Sequence, residues 1–163
     1  MTVELIDGRA GKPHIGGDDL GNFKAGFVGI EGYVLKTENK LAATLESANK
    51  LTINTGAAIM PTTGRHVRIT SPETVTIQSG TQGQKRNDLV VLRTTTSSDN
   101  TAVEAASIVV IKGTPTTGTP TDPAINNGDL KLYRLNLNGV SVGNPVKLFN
   151  ILTPLATLGA SVT

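Results

Sequence analysis

Residues 81–93 read TQGQKRNDLVVLR. The first part is a polar loop carrying Lys85, Arg86, Asn87 and Asp88, and it runs straight into the apolar triplet Leu89, Val90 and Val91. A half-buried strand alternates apolar and polar residues, whereas a strand covered on both faces is continuously apolar. DLVVLRT is of the second kind, which predicts a central strand buried on both sides with charge gathered at its mouth. AVEAASIVVIKG, residues 102–113, is a second such run. The polar stretch TTTSSDNT between them has a length that suits a hairpin connection, and therefore antiparallel pairing.

Outward from this pair the pattern changes to strands with one wet side. GRHVRI, residues 64–69, sets Val67 and Ile69 against His66 and Arg68, and ETVTIQSG repeats the alternation through Val75 and Ile77. FVGIEGYVL, residues 27–35, reads as a strand bent at Gly29 and Gly32. LAATLESANKL has apolar residues at Leu41, Leu45, Ala48 and Leu51 that could serve a helix. LTINTG, however, alternates at period two, so two strands joined by SANK are the better reading. KLYRLNLNGVSVG sets Leu132, Arg134 and Asn136 against Tyr133, Leu135 and Leu137, and its Asn138-Gly139 is the strongest hairpin signal in the chain.

Segment 113–129, GTPTTGTPTDPAINNGD, is a long loop, because Pro115, Pro120 and Pro123 cannot donate to a ladder. Roughly nine short strands with little helix predict an all-β fold, an antiparallel β-sandwich of Greek-key or jelly-roll type, over residues 27–150. Residues 1–26, rich in Gly, read as an extended N-terminal arm. Residues 151–163 read as an apolar C-terminal tail that packs on its own domain or on a neighbouring copy.

Composition removes several classes of function. Fifteen Lys plus Arg against thirteen Asp plus Glu leave +2, with no concentrated cationic face of the kind nucleic-acid binders need. The aromatics are Phe23, Phe27, Tyr33, Tyr133 and Phe149, too few to favour stacking on sugars. Without Cys there is no disulfide, no thiolate chemistry and no Cys-based zinc site. MTVELIDGRAGK has no apolar signal core and no stretch is long enough to span a bilayer, which predicts a soluble chain without membrane insertion.

Candidate chemistry is equally sparse. Asp18 and Asp19 follow Gly16-Gly17, but HIGGDDLGNFK lacks the alternating oxygens of a calcium loop, and a solvated turn is the better account. His14 and His66 lie in different segments with no ligand spacing. GRAGKP, residues 8–13, has Pro13 where a phosphate loop requires a hydroxyl. No nucleophile elbow occurs. The Lys85–Asp88 cluster could clamp an acidic ligand, with Asp88 as an acid–base group. The structural alternative assigns Asn87 and Asp88 to backbone capping, and Arg86 and Arg93 to pairing with carboxylates within or between subunits. The second reading is preferred, since no catalytic partner can be named beside the cluster. Cofactors and metals are therefore not expected.

GTQGQKRNDLVVLR, VVIKGTPTTGTPTDPA and LYRLNLNGVSV, in that order, resemble small structural proteins encoded in the tail modules of tailed bacteriophages and prophages. So do DGRAGKPHIGGDD, KAGFVGIEGYVL and GRHVRI before them, and the resemblance spans nearly the whole chain. The chain departs from that pattern in lacking a Ser/Thr-rich stretch after His14 and in running past Leu148-Phe149 into the apolar tail. The resemblance implies a β-sandwich similar to the shoulder domains that attach receptor-binding proteins to a baseplate, typically as trimers, and it assigns no catalytic residue.

The expected function is that of a non-enzymatic virion component located in the phage tail and made in the host cytoplasm. Its partners would be copies of itself and other tail or baseplate proteins. The alternative is a receptor- or saccharide-binding module that recognises the host surface through polar loops such as 113–129, and a tail-associated hydrolase stands third.

Overall fold

A computed structural model describes residues 15–95 and 103–158. Among them the chain is mostly β, with one helix, α1 (Gly17–Val28), ahead of twelve short strands and a closing 3-10 turn (Leu155–Thr157). The first sheet has the order β12-β1-β4-β5, built from β1 (Tyr33–Leu35), β4 (Gly56–Ile59), β5 (His66–Ile69) and β12 (Ile151–Leu152). A second sheet joins β2 (Ala43–Ser47), β3 (Lys50–Ile53) and β6 (Glu73–Thr76) in the order β2-β3-β6. The third contains β7 (Lys85–Thr95), β8 (Ala105–Ile111), β9 (Leu130–Asn138) and β10 (Ser141–Val142) in the order β10-β9-β7-β8. There β11 (Val146–Lys147) also pairs with β9. All pairs are antiparallel except β1 with β12.

The central strand is where the continuous apolar run predicts it. β7 lies between β8 and β9, and Asp88 to Leu92 are fully or almost fully buried. Val90 and Leu92 join a single core to which all three sheets contribute, including Val34, Ala58, Leu51, Ile53 and Leu135. Tyr133 and Phe149 meet edge to face in it, 5.5 Å apart. The two strands around SANK form as expected, with Ser47 opposite Lys50 across the Ala48-Asn49 turn. A helix from Leu41 is blocked locally: Leu41 holds a left-handed backbone (φ 54°), and its carbonyl accepts a 2.9 Å hydrogen bond from the buried Tyr133 hydroxyl. The Asn138-Gly139 hairpin also forms, Asn138 facing Ser141 with Gly139 at φ 61°. Segment 113–129 carries no strand, and its one ladder contact is the bridge from Thr116 to Lys85.

Five expectations are corrected. The arm over 1–26 is not extended where it is described, because residues 17–28 form α1, while residues 1–14 lie outside the described residues. Asp18 and Asp19 occupy the first helical turn, where the helix dipole favours carboxylates, and Asp19 accepts a 2.9 Å hydrogen bond from the Gly16 N–H. Gly29, at φ 80°, closes the helix, so the strand predicted from Phe27 shrinks to Tyr33–Leu35. β8, the second apolar run, is an edge strand with its first half exposed, not a strand covered on both faces. Leu132 does not share a face with Arg134: the β7–β9 register slips between Val90 and Val91, so Leu132 and Tyr133 are both buried.

The connection between β7 and β8 falls largely in residues 96–102, outside the described residues, although Thr95 already faces Ala105. In the region read as a C-terminal tail, Ile151 and Leu152 complete the first sheet beside β1, whereas Leu155 and Leu158 remain exposed. No helix among the described residues is long and apolar enough to cross a membrane.

Candidate functional site

The cluster at the start of β7 divides between the two faces of the strand, as the period-two geometry requires. Arg86 and Asp88 point inward with Val90 and Leu92, and both are buried. Two charges can be stable there only if their hydrogen-bonding capacity is met. Arg86 Nε and Nη2 donate to the two Asp88 oxygens at 2.9 and 3.1 Å, a fork-on-fork pair. The remaining guanidinium donors reach the carbonyls of Ser79, at 3.0 Å, and Gln78. Asp88 Oδ1 also accepts the Gly113 N–H at 2.9 Å. The pair thus ties the segment after β6 and the end of β8 to the central strand.

Asn87 and Arg93 lie on the opposite face and engage segment 113–129. Asn87 Nδ2 donates to Asp122 Oδ1 at 3.0 Å, and the same carboxylate takes both prongs of Arg134 from β9, one at 2.6 Å. Arg93 grips Asp129 at 2.9 and 2.7 Å, and Asp129 also accepts the Asn126 N–H at 2.9 Å. Leu89 and Val91, fully buried, sit between these two anchors on the same side of β7. The long loop is thereby strapped across the sheet, which explains why a strand of the third sheet is apolar on both faces. Gly113 makes the close approach possible, since a Cβ there would lie 1.9 Å from the Asn87 carbonyl oxygen.

The electrostatics fit a clamp. The Arg134 guanidinium holds the Asp122 carboxyl below the ordinary Asp value, against an opposing effect of burial and with help from the Asn87 amide. Burial resists ionisation of Asp129 as well, but Arg93 and the Asn126 N–H outweigh it, and this carboxyl too is lowered. Arg93 and Arg134 are raised by their partners.

Of the residues singled out from sequence, Arg86 and Asp88 are brought into contact with each other, Asn87 and Arg93 are drawn to separate carboxylates, and Lys85 stays exposed. Asp122, Asp129 and Arg134 were missed. Arg134 could have been found from its place on the polar face of β9. The aspartates lie in an irregular loop, and their Asn87 and Arg93 partners are 35 and 36 residues away along the chain.

Elsewhere His66 lies exposed on β5, while His14 and GRAGKP fall outside the described residues. Among the described residues, no three His, Asp or Glu side chains gather as metal ligands would. A second charged group links α1 to the sheets. Arg65 Nη2 meets Asp18 at 3.0 Å, and Arg65 Nε and Nη2 each donate to Glu104 at 2.8 Å. An open groove of about 390 Å³ lies between β5, β6 and β8, lined by Arg68, Glu73, Thr74, Leu92 and Ser107 among others. No family model, no curated protein and no solved structure matches this chain.

Proposed function

We propose that the chain is a non-enzymatic structural component of a bacteriophage virion. In this reading it is a tail- or baseplate-associated fitting, built as an antiparallel β-sandwich, that assembles with copies of itself, as a trimer, and with other tail proteins. The observation that carries this reading is how its most conspicuous polar cluster is used. Arg86, Asn87, Asp88 and Arg93 spend their side-chain hydrogen bonds inside the chain, on each other, on the Gln78 and Ser79 carbonyls and on segment 113–129. Those groups are held as struts rather than presented to a substrate. The ordered resemblance of the sequence to phage tail-module proteins supplies the context.

Electron microscopy of particles lacking this protein tests the proposal. A tail missing its terminal fitting is the expected result, and particles with complete tails would contradict it. Release of soluble fragments from peptidoglycan by the purified protein would contradict its non-enzymatic character.

The second reading, a receptor- or saccharide-binding module, is favoured by the groove between β5, β6 and β8. Its size falls in the range of ligand sites, and Arg68, Glu73, Thr74 and Ser107 offer hydrogen bonds along it. Binding of labelled protein to host cells, lost on Arg68→Ala, would support it; a pure connector shows none.

A further inference from the structure

The chain has three phenylalanines, and two of them stand in solvent side by side. Phe23 and Phe27 are 67% and 69% exposed and contact each other edge to face at 5.0 Å. Leu20, one turn earlier, is 53% exposed, and Ile30, just past the helix end, 61%. With roughly 150–250 Å² for each phenylalanine and somewhat less for Leu20 and Ile30, each scaled by its exposed fraction, the four side chains offer on the order of 400–500 Å². That is more than half of the ~800 Å² each partner gives to a standard interface.

The spacing says what covers them. Leu20, Phe23 and Phe27 follow the three-four rhythm of a coiled-coil seam, with Leu20 and Phe27 at a positions and Phe23 at d. The opposite side of α1 is already occupied. Gly21, at a b position, packs so tightly on the β4–β5 turn that a Cβ would lie 2.0 Å from the Thr63 carbonyl oxygen, and Ala25 and Val28, at f and b, are partly buried. The domain therefore holds the outer side of the heptad and leaves the seam more than half exposed.

Charge complementarity selects the partner. In this register Asp19 is the g residue and Lys24 the following e residue, five positions later. In a parallel coiled coil, g of one helix faces the next e of its neighbour, so Asp19 meets Lys24 of a second copy. Among the described residues, Lys24 forms no ion pair with a carboxylate. It is lowered from the ordinary Lys value by partial burial and by Arg65 nearby. A shallow groove of about 310 Å³ lined by Leu20, Phe23, Leu35, Ile59 and His66 runs beside it.

We infer that α1 is the self-association surface of this protein, packing in parallel against α1 of neighbouring copies through Leu20, Phe23 and Phe27, with Asp19 and Lys24 pairing between copies. The inference rests on the self-association part of the proposed function and names its interface.

Sedimentation velocity at micromolar concentration tests it with the unaltered chain, Phe27→Asp, and Val140→Asp as a control on an exposed apolar residue of the β9–β10 turn. The unaltered chain and the control are expected as oligomers and Phe27→Asp as a monomer, its far-UV circular dichroism unchanged. Because the chain has no cysteine, Phe27→Cys gives an independent reading that does not depend on a disruptive substitution. Under mild oxidation, parallel seams cross-link position 27 to itself, in most of the protein. An oligomer that survives Phe27→Asp and fails to cross-link overturns the inference and leaves self-association standing. Cross-linking only in a mixture of Leu20→Cys with Phe27→Cys overturns the parallel arrangement. A monomeric unaltered chain overturns both the inference and the reading beneath it.

Discussion

Segment 113–129 and helix α1 invert the usual division of labour between loops and regular structure. The loop has no strand of its own, yet it is fastened to the third sheet by Asp122 and Asp129, each gripped by an arginine through two hydrogen bonds. α1 is regular, yet it presents its largest apolar side chains to solvent and is seated on the domain by the close approach of Gly21 and by the Asp18–Arg65 ion pair. Charge turned inward immobilises a segment, and apolar surface turned outward leaves one with bonding still to do. Local regularity therefore does not tell which segment of this molecule is fastened by charge and which exposes apolar surface.

The largest effect should come from the buried end of the clamp. Arg86→Ala leaves Asp88 buried without its cation and frees the Gln78 and Ser79 carbonyls, and should lower stability by about 3–5 kcal/mol in urea unfolding. A loss below about 1 kcal/mol would show the pair to be hydrated and the inward charge dispensable. On the α1 side, Gly21→Ala gains helix propensity but forces a Cβ into the Thr63 carbonyl. The clash should win, costing about 1–3 kcal/mol and speeding hydrogen exchange across residues 17–28. Protected amides in that variant would mean that the helix is seated by something other than the glycine contact.

Asp129→Ala releases one strap and leaves a partly exposed Arg93 that water can serve. A loss of about 1–2 kcal/mol is expected, with faster exchange in residues 113–129 and little change in α1. Acid should do the same to both straps. The Asp122 and Asp129 carboxyls lie below the ordinary value of 3.8 in the folded chain, so the stability they contribute is fully present well above that pH. It declines as pH falls through this value and is gone below the lowered folded values. Replacing both by Asn should flatten that part of the stability–pH curve, and an unchanged acid limb would place the acid-sensitive groups elsewhere. The smallest effect on folding belongs to Phe27→Asp, within about 0.5 kcal/mol for an exposed position, although its effect on assembly should be complete.

What could be read from the sequence was whatever depends on neighbours along the chain. The alternation of β5 and β6, the SANK and Asn138-Gly139 turns and the double burial of β7 all follow from local pattern. α1 escaped because Gly21 and Gly26 look like loop residues, and only the distant Gly64 turn explains why a glycine is needed inside a helix. β4, whose Gly56-Ala57-Ala58-Ile59 is buried throughout, carries too little bulk to announce a strand. The edge position of β8 is a property of the sheet, since the same apolar run would serve a central strand. The Leu132 bulge arises from a register set against β7. In the cluster, the need of Arg86 and Asp88 for partners was legible, while Asp122 and Asp129 are brought to it only by the path of the loop.

Sedimentation equilibrium of the unaltered protein at micromolar concentration tests the account most directly. A mass of two or more times 16.9 kDa, three times for a trimer, is the predicted result. A single species of 16.9 kDa across that range would contradict it.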